Sequence, residues 1–326
     1  MEYKVNAEIV ALGAYVPERI LTNDDLSKIV DTNDEWIYSR TGIKERRISR
    51  DDEYSSDLAI KAVENLISEN NVMLEDVDFI IVSSISPDYY TPSMAALIQG
   101  AFSIKETGSL DINGACSGYV YGLQLAFSLI SSGQYRKILL VTTDVLSKIV
   151  NYEDRNTCVL FGDAATATLV QHTDIQQDCI SFSGTDGVLG KELYCSAISP
   201  TIKDHEIATK HVLVQNGRTL YTFVTRNIAE IINNLFANND KLSKEKIDFF
   251  VPHSANMRML NKLCENTGFS ESQLLSSLEY NGNTSSNSIP LALYEAHKDK
   301  LLKKGNTLFL IGFGGGLSYA GLIFKL

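Results

Sequence analysis

The sequence predicts an α/β fold made of two similar halves, and three observations point there. Strand-like apolar runs alternate with runs of helical periodicity along the chain, the pattern of a largely parallel sheet. Short segments of the first half recur in the second half in the same order. The composition, 44% hydrophobic and 21% charged over 326 residues, is that of a globular chain able to bury a large core.

Taken in order, residues 5–12 read as a strand and Gly13-Ala14-Tyr15-Val16-Pro17 as its turn. Asn23-Asp24-Asp25-Leu26 and Asn33-Asp34-Glu35-Trp36-Ile37 carry helix-start signals. Residues 55–68 have an amphipathic helical pattern, 77–82 a buried strand, 93–102 a helix and 109–112 a short buried strand. Apolar residues then return at helical spacing over 119–130 until Ser131-Ser132-Gly133 stops them, and 137–142 is again a strand.

The internal matches are specific. Residues 75–82 resemble 245–252; Asp111-Ile112-Asn113-Gly114-Ala115-Cys116 aligns with Glu279-Tyr280-Asn281-Gly282-Asn283-Thr284; residues 136–141 match 306–311; and Phe161-Gly162-Asp163-Ala164 matches Phe313-Gly314-Gly315-Gly316. The halves are expected to join near residues 171–178, giving domains 1–173 and 174–326. If they pack about a pseudo-twofold axis, the Cys116 turn, the Asn283 turn, the His253 loop and the glycine loop meet in one cleft.

Cys116 sits at the start of a buried helix among Gly114, Ala115, Ser117 and Gly118. Unpaired backbone N–H groups and the helix dipole there are expected to lower the thiol pKa. A buried structural cysteine is the alternative. His253, in Pro252-His253-Ser254-Ala255-Asn256, lies just past the strand at 247–251, whereas His172, His205, His211 and His297 have polar or helical surroundings. A thiolate with a His and an Asn beside it can accept an acyl group from a thioester and then stabilise an enolate. Gly314-Gly315-Gly316 can offer a backbone N–H to an oxyanion.

Arg40, Lys44, Arg46, Arg47 and Arg50 cluster near Trp36, the only tryptophan. Such a group reads either as a solvated face or as a site where indole and guanidinium groups hold a purine ring and phosphates. The net charge of −11 argues against extended binding to nucleic acid, though local basic clusters can still matter. The five cysteines include no C-x-x-C pair, so neither a disulfide scaffold nor a zinc site is expected. No apolar run reaches the ~18 residues of a membrane span, and Met1-Glu2-Tyr3-Lys4 begins no signal peptide, so a cytoplasmic protein is expected.

Several motifs together carry a resemblance: Thr32-Asn33-Asp34-Glu35-Trp36-Ile37 with Arg40-Thr41-Gly42-Ile43, residues 111–118, Asp154-Arg155-Asn156-Thr157, Leu160-Phe161-Gly162-Asp163, residues 252–256, 281–285 and 313–316. Over essentially its full length the chain is similar to the β-ketoacyl-acyl carrier protein synthase III family of the thiolase superfamily. The resemblance implies a five-layer αβαβα thiolase fold and a homodimer. It implies that an acyl-CoA acylates Cys116, that His253 and Asn283 support decarboxylation of malonyl-acyl carrier protein or malonyl-CoA, and that the N–H groups of Cys116 and Gly315 form an oxyanion hole. Trp36 and Arg155 would sandwich the coenzyme A adenine, Thr32 touch its edge and Arg40 meet phosphate. Thr91 and Phe161 would bound the acyl pocket, and Arg258 and Lys262 would dock a carrier protein. No metal or redox cofactor is implied.

The chain departs from that family's pattern at Ser254, Gly114, Ala164-Ala165-Thr166 and Tyr319-Ala320, and Thr222 replaces a docking lysine. Thr91 stands where many members carry a bulky aromatic, which predicts a longer or bulkier acyl group than acetyl. Alternatives are a paralogue of specialised metabolism with another acceptor, a papain-like Cys-His-Asn protease, which the α/β duplication opposes, and a non-catalytic scaffold.

Overall fold

A computed structural model describes residues 2–202, 204–207 and 209–326; Met1, part of the N-terminal tetrapeptide read for a signal peptide, lies outside them. Eight strands hydrogen-bond into one sheet: β1 (Glu2–Tyr15), β2 (Phe79–Ser83), β3 (Gly108–Ile112), β4 (Lys137–Asp144), β5 (Ala164–Thr185), β6 (Phe249–Pro252), β7 (Thr307–Gly314) and β8 (Ser318–Lys325). The principal helices are α1 (Asp34–Thr41), α2 (Ser55–Asn70), α3 (Met94–Phe102), α4 (Gly118–Ser131), α5 (Ala229–Ala237), α6 (Met257–Thr267) and α7 (Ser288–Lys298). Helix α5 is preceded by Gly217–Thr222 and a π-helical stretch, Phe223–Ile228.

The sheet is two layers sharing long strands. The first part of β5 pairs antiparallel with β4 and with residues 7–15 of β1, and β4 pairs in parallel with β2, which pairs in parallel with β3. The second part of β5 pairs with β8 and with residues 2–5 of β1, β8 with β7, and β7 in parallel with β6. A parallel bridge between Phe250 and Leu274 stands beside β6 where β3 stands beside β2. The two layers thus repeat one strand order, and the duplicated architecture expected from the internal matches is present.

Helices complete five layers because each strand presents alternate residues to opposite faces. Ile80, Val82, Leu139 and Val141 face α2 and α3, while Ile81, Ile138 and Leu140 face α4 and α7. In the second layer Leu308 and Leu310 face α4 and α7, and Phe309 and Ile311 face α5 and α6. The central helices are buried along most of their length, including Tyr119, Leu123, Phe127 and Ile130 of α4 and Ile289 and Leu293 of α7. Each such side chain contributes roughly 1.5–3 kcal/mol on burial. Clamped between two sheets, α4 and α7 hold their N-termini rigidly at the same side of the molecule.

The strand expected to be buried at 109–112 is an edge strand. Ser109, Leu110 and Asp111 are exposed in the single chain, because β3 pairs only with β2 and nothing covers its outer side among the described residues. The Asp111 carboxylate accepts from Met94 N and Ala95 N at 2.7 and 2.8 Å, anchoring the start of α3.

Candidate active site

Two tight turns lead into the central helices and shape the site. Cys116 lies in the turn Ala115–Ser117 before α4, and Ser285–Asn287 forms the matching turn before α7. Both open on a residue in the left-handed region, Ala115 at φ 45° and Ser285 at φ 55°. By backbone geometry Cys116 therefore corresponds to Ser286, two residues beyond its partner in the sequence alignment. That alignment matched the Asn-Gly pairs, whereas the chain turns later in the second half.

Cys116, His253 and Asn283 all line one cleft of about 1450 Å³, together with Phe161 and Gly314 to Gly316. The three residues are buried. Cys116 is held from behind by the glycine loop: a Cβ on Gly314 would lie 2.8 Å from Cys116 Cβ and 3.0 Å from its Sγ, and one on Gly312 would lie 2.6 Å from Ser117 Cα. Only glycines permit that approach. Gly315 lines the cleft beside Ala115.

His253 follows β6 and is fixed by α7. Its backbone N donates to Ile311 O at 2.9 Å, and its Nδ1 lies 2.7 Å from Ser288 Oγ, which also accepts from Ser254 N at 3.2 Å. With Nδ1 committed, Nε2 is the ring nitrogen left for the cleft. Asn283 is held by its backbone, N to Leu160 O at 2.8 Å and O from Gly162 N at 3.1 Å. Its Oδ1 accepts from Ser285 N at 2.9 Å, which leaves the carboxamide NH₂ as the free donor.

Burial makes the resting groups neutral. The Cys116 thiol is pushed up to about 12, chiefly by burial, with a smaller upward push from the Asp144 carboxylate and an opposing pull from the Ser285 hydroxyl. Burial pulls the His253 imidazole down to about 3, against the Ser285 carbonyl. The expected low-pKa thiolate is thus corrected: desolvation of the sulfur outweighs the helix terminus. Asp144, also fully buried, is raised to about 6 by burial even though Ile85 N, Ser84 Oγ and Ser86 Oγ donate to it at 2.8, 3.1 and 3.1 Å. Ser285 Oγ makes no well-formed hydrogen bond, yet it lies close enough to act on both Asp144 and Cys116.

At the mouth, Trp36, Arg40, Arg155 and Arg258 line the cleft. Arg155 and Arg40 place their guanidinium carbons 4.7 and 4.8 Å from the Trp36 ring, so both rest on the indole. Thr32 does not line the cleft, and its hydroxyl is buried with no hydrogen-bond partner among the described residues. The rest of the basic cluster is engaged elsewhere. Lys44 pairs with Glu279 at 2.6 Å, Arg47 with Glu45 at 3.3 Å and Arg50 with Asp52 at 3.1 Å, while Arg46 is fully buried. Lys262 pairs with Glu265 at 2.8 Å beside the cleft, and Arg258 stands 6.0 Å from the Tyr221 ring.

Thr91 is exposed and does not line the cleft of its own chain. Phe161 does, within an apolar cluster with Leu146 and Leu213 that Ile85 and Leu193 extend. Leu193 and Leu213 escaped the sequence reading because they come from two three-residue strands, Leu193–Cys195 and Leu213–Gln215, which pair with each other and are too short to show a period. Ser285 and Ser288 had one legible sign, the polar run Thr284-Ser285-Ser286-Asn287-Ser288 set directly before the apolar 289–293; the structure shows that the whole run is buried. Among the described residues no cluster of His, Cys, Asp or Glu has the makings of a metal site, and no helix is long and apolar enough to cross a membrane.

Comparison with known proteins gives the family. Residues 110–187 match the model of 3-oxoacyl-[acyl-carrier-protein] synthase III and residues 237–326 that of its C-terminal part. The chain is 46% identical over 320 residues to a β-ketoacyl-[acyl-carrier-protein] synthase III 2 of Halalkalibacterium halodurans, covering 98% of this chain and 96% of the relative. It is 48% identical to a namesake from Bacillus anthracis, covering 97% of each. The crystal structure of a β-ketoacyl-[acyl-carrier-protein] synthase III from Thermus thermophilus superposes with a TM-score of 0.92 at 39% identity over 98% of both chains. Sequence, thiolase fold and cleft agree, and the chain belongs to the 3-oxoacyl-[acyl-carrier-protein] synthase III family of acyltransferases.

Proposed function

We propose that this acyltransferase loads an acyl group from acyl-CoA onto Cys116 and condenses it with malonyl-acyl carrier protein, or malonyl-CoA, to a β-ketoacyl thioester that starts a fatty acid. The observation that carries this is the convergence of Cys116, His253 and Asn283 on one buried cleft. In the first step the sulfur attacks the acyl carbonyl, the carbon–sulfur bond to coenzyme A breaks, and the thiol proton ends on the departing coenzyme A thiolate. N–H groups of Cys116 and Gly315 hold the oxyanion.

In the second step Nε2–H of His253 and the NH₂ of Asn283 donate to the malonyl thioester oxygen as carbon dioxide leaves, the carbanion attacks the acyl-Cys116 carbonyl, and the carbon–sulfur bond to Cys116 breaks, its thiolate then taking a proton from solvent. The electron pair freed by decarboxylation forms the new carbon–carbon bond, so no metal or redox cofactor enters the cycle. Adenine displaces Arg155 from the Trp36 face and lies between the two, with Thr32 at its edge, while Arg40 meets phosphate. Arg258 and Lys262 receive the carrier protein.

We place the boundary between the halves at 173/174, within β5, and the protein in the cytoplasm, where its five free cysteines stay reduced. Exposed Leu110, Tyr89 and Tyr90 favour a homodimer over this face, with Thr91 reaching the partner's acyl pocket. Incubation with butyryl-CoA and carboxyl-labelled malonyl-CoA tests the function: acylation of Cys116 and release of labelled carbon dioxide are expected, and absence of both contradicts it.

A further inference from the structure

Arg46 was grouped by sequence with a solvated or phosphate-binding cluster, but it is 0% exposed. Among the described residues no carboxylate lies within ion-pair distance of it. Instead its guanidinium is divided between two parts of the fold. Nη1 donates to Leu21 O at 3.1 Å, both Nη atoms donate to Asn23 Oδ1 at 2.9 Å, and Nη2 donates to Val159 O at 2.8 Å. Asn23 in turn donates through Nδ2 to Asp34 Oδ1 and to Ile43 O, each at 2.8 Å. Asp34 is the first residue of α1, which carries Trp36 and Arg40.

On the other side, Val159 precedes Leu160, whose carbonyl accepts from Asn283 N at 2.8 Å. A Cβ on Gly162 would come within 3.1 Å of Arg46 Cβ, and one on Gly282 within 3.2 Å. The arginine stem therefore lies against both glycines that flank the bridge between Phe161 and Asn283. Its own short strand, Glu45–Arg47, and the residue before it are bonded to both segments: Asp163 N donates to Arg47 O at 2.8 Å and Lys44 N donates to Glu279 O at 2.8 Å. Burial lowers the guanidinium only to about 10, so it remains a cation at neutral pH.

We propose that Arg46 is a positioning residue, a buried fork that ties the coenzyme-binding lobe to the backbone carrying Asn283 and so sets the carboxamide for the malonyl step. A planar guanidinium spans these acceptors at once, and an ammonium does not. The proposal rests on the function above, in which Asn283 serves decarboxylation and not acyl loading.

The test is Arg46→Lys, assayed separately for acyl transfer from butyryl-CoA to Cys116 by mass spectrometry and for carbon dioxide release from carboxyl-labelled malonyl-CoA. A loss of about tenfold or more is expected in decarboxylation, with acyl transfer at saturating butyryl-CoA within about twofold of the unsubstituted protein. An equal loss in both steps, or none in either, overturns the proposal. Should Arg46→Lys fail to fold, Asn23→Ala keeps the guanidinium but removes its tie to the coenzyme lobe, and the same step-selective loss is expected; a uniform effect overturns it. If the unsubstituted protein performs neither half-reaction, the functional reading fails rather than this one.

Discussion

Substituting Ser288 by alanine isolates the imidazole's contribution. Ser288 Oγ is the group fixed 2.7 Å from His253 Nδ1, it also accepts from Ser254 N, and the whole residue is buried as the first residue of α7. Alanine leaves Nδ1 and the Ser254 N–H without this partner, and both residues are buried. Orphaning a buried polar group costs about 1–3 kcal/mol. Some of that cost is avoided by rotating the ring, which removes Nε2 from the thioester oxygen. Spent on the transition state, the same energy corresponds to a rate loss of roughly 5- to 150-fold. The assay is release of labelled carbon dioxide from malonyl-CoA, with Ser288→Thr as the variant that keeps the hydroxyl and retains most of the rate. Decarboxylation by Ser288→Ala within about twofold of the unsubstituted protein would refute the reasoning.

Other perturbations have equally definite outcomes. Trp36→Ala should raise KM for acyl-CoA about tenfold with little change in kcat, because an aromatic platform contributes about 1–3 kcal/mol per stacked base; steady-state kinetics measure both. His253 binds fewer protons folded, at about 3, than unfolded near 6.5, so its contribution to stability is full above pH 6.5 and falls as pH drops toward 3. Between pH 6.5 and 4.5 this amounts to about 2–3 kcal/mol, opposed by Asp144, whose raised value of about 6 has the reverse sign. The urea midpoint should therefore fall further, or rise less, on going from pH 6.5 to 4.5 in the unsubstituted protein than in His253→Gln. Gly314→Ala should lose acylation of Cys116 and about 1–3 kcal/mol of stability, since the added Cβ meets the cysteine at 2.8 Å. Across an acyl-CoA series kcat/KM should rise beyond acetyl by up to about fourfold per methylene, and a sharp preference for acetyl-CoA would contradict the role given to Thr91.

Fold and chemistry were legible to different depths. Periodicity placed α2, α3, α4 and the strands within a few residues, and the internal matches anticipated the repeated strand order, because hydrophobic spacing reports which face is buried. Edge status is not written in that spacing, so β3 read as buried although Leu110 is exposed. The two-residue offset between Cys116 and Ser286 was hidden because an Asn-Gly pair marks a turn without fixing where the chain leaves it. Cys116, His253 and Asn283 could be named since their residue types carry the chemistry. The state of Cys116 could not, since helix position is visible in sequence and desolvation is not. Arg46 and Lys44 look alike in a charge count, yet one is buried against carbonyls and the other pairs with Glu279 at the surface.

The most direct measurement is the mass of the intact protein after incubation with butyryl-CoA, followed by mapping of the modified peptide. The account predicts a single butyryl adduct on Cys116, removed when malonyl-CoA is added and never formed in Cys116→Ala. An adduct on Cys158, Cys179, Cys195 or Cys264, or none while coenzyme A is still released, would contradict it.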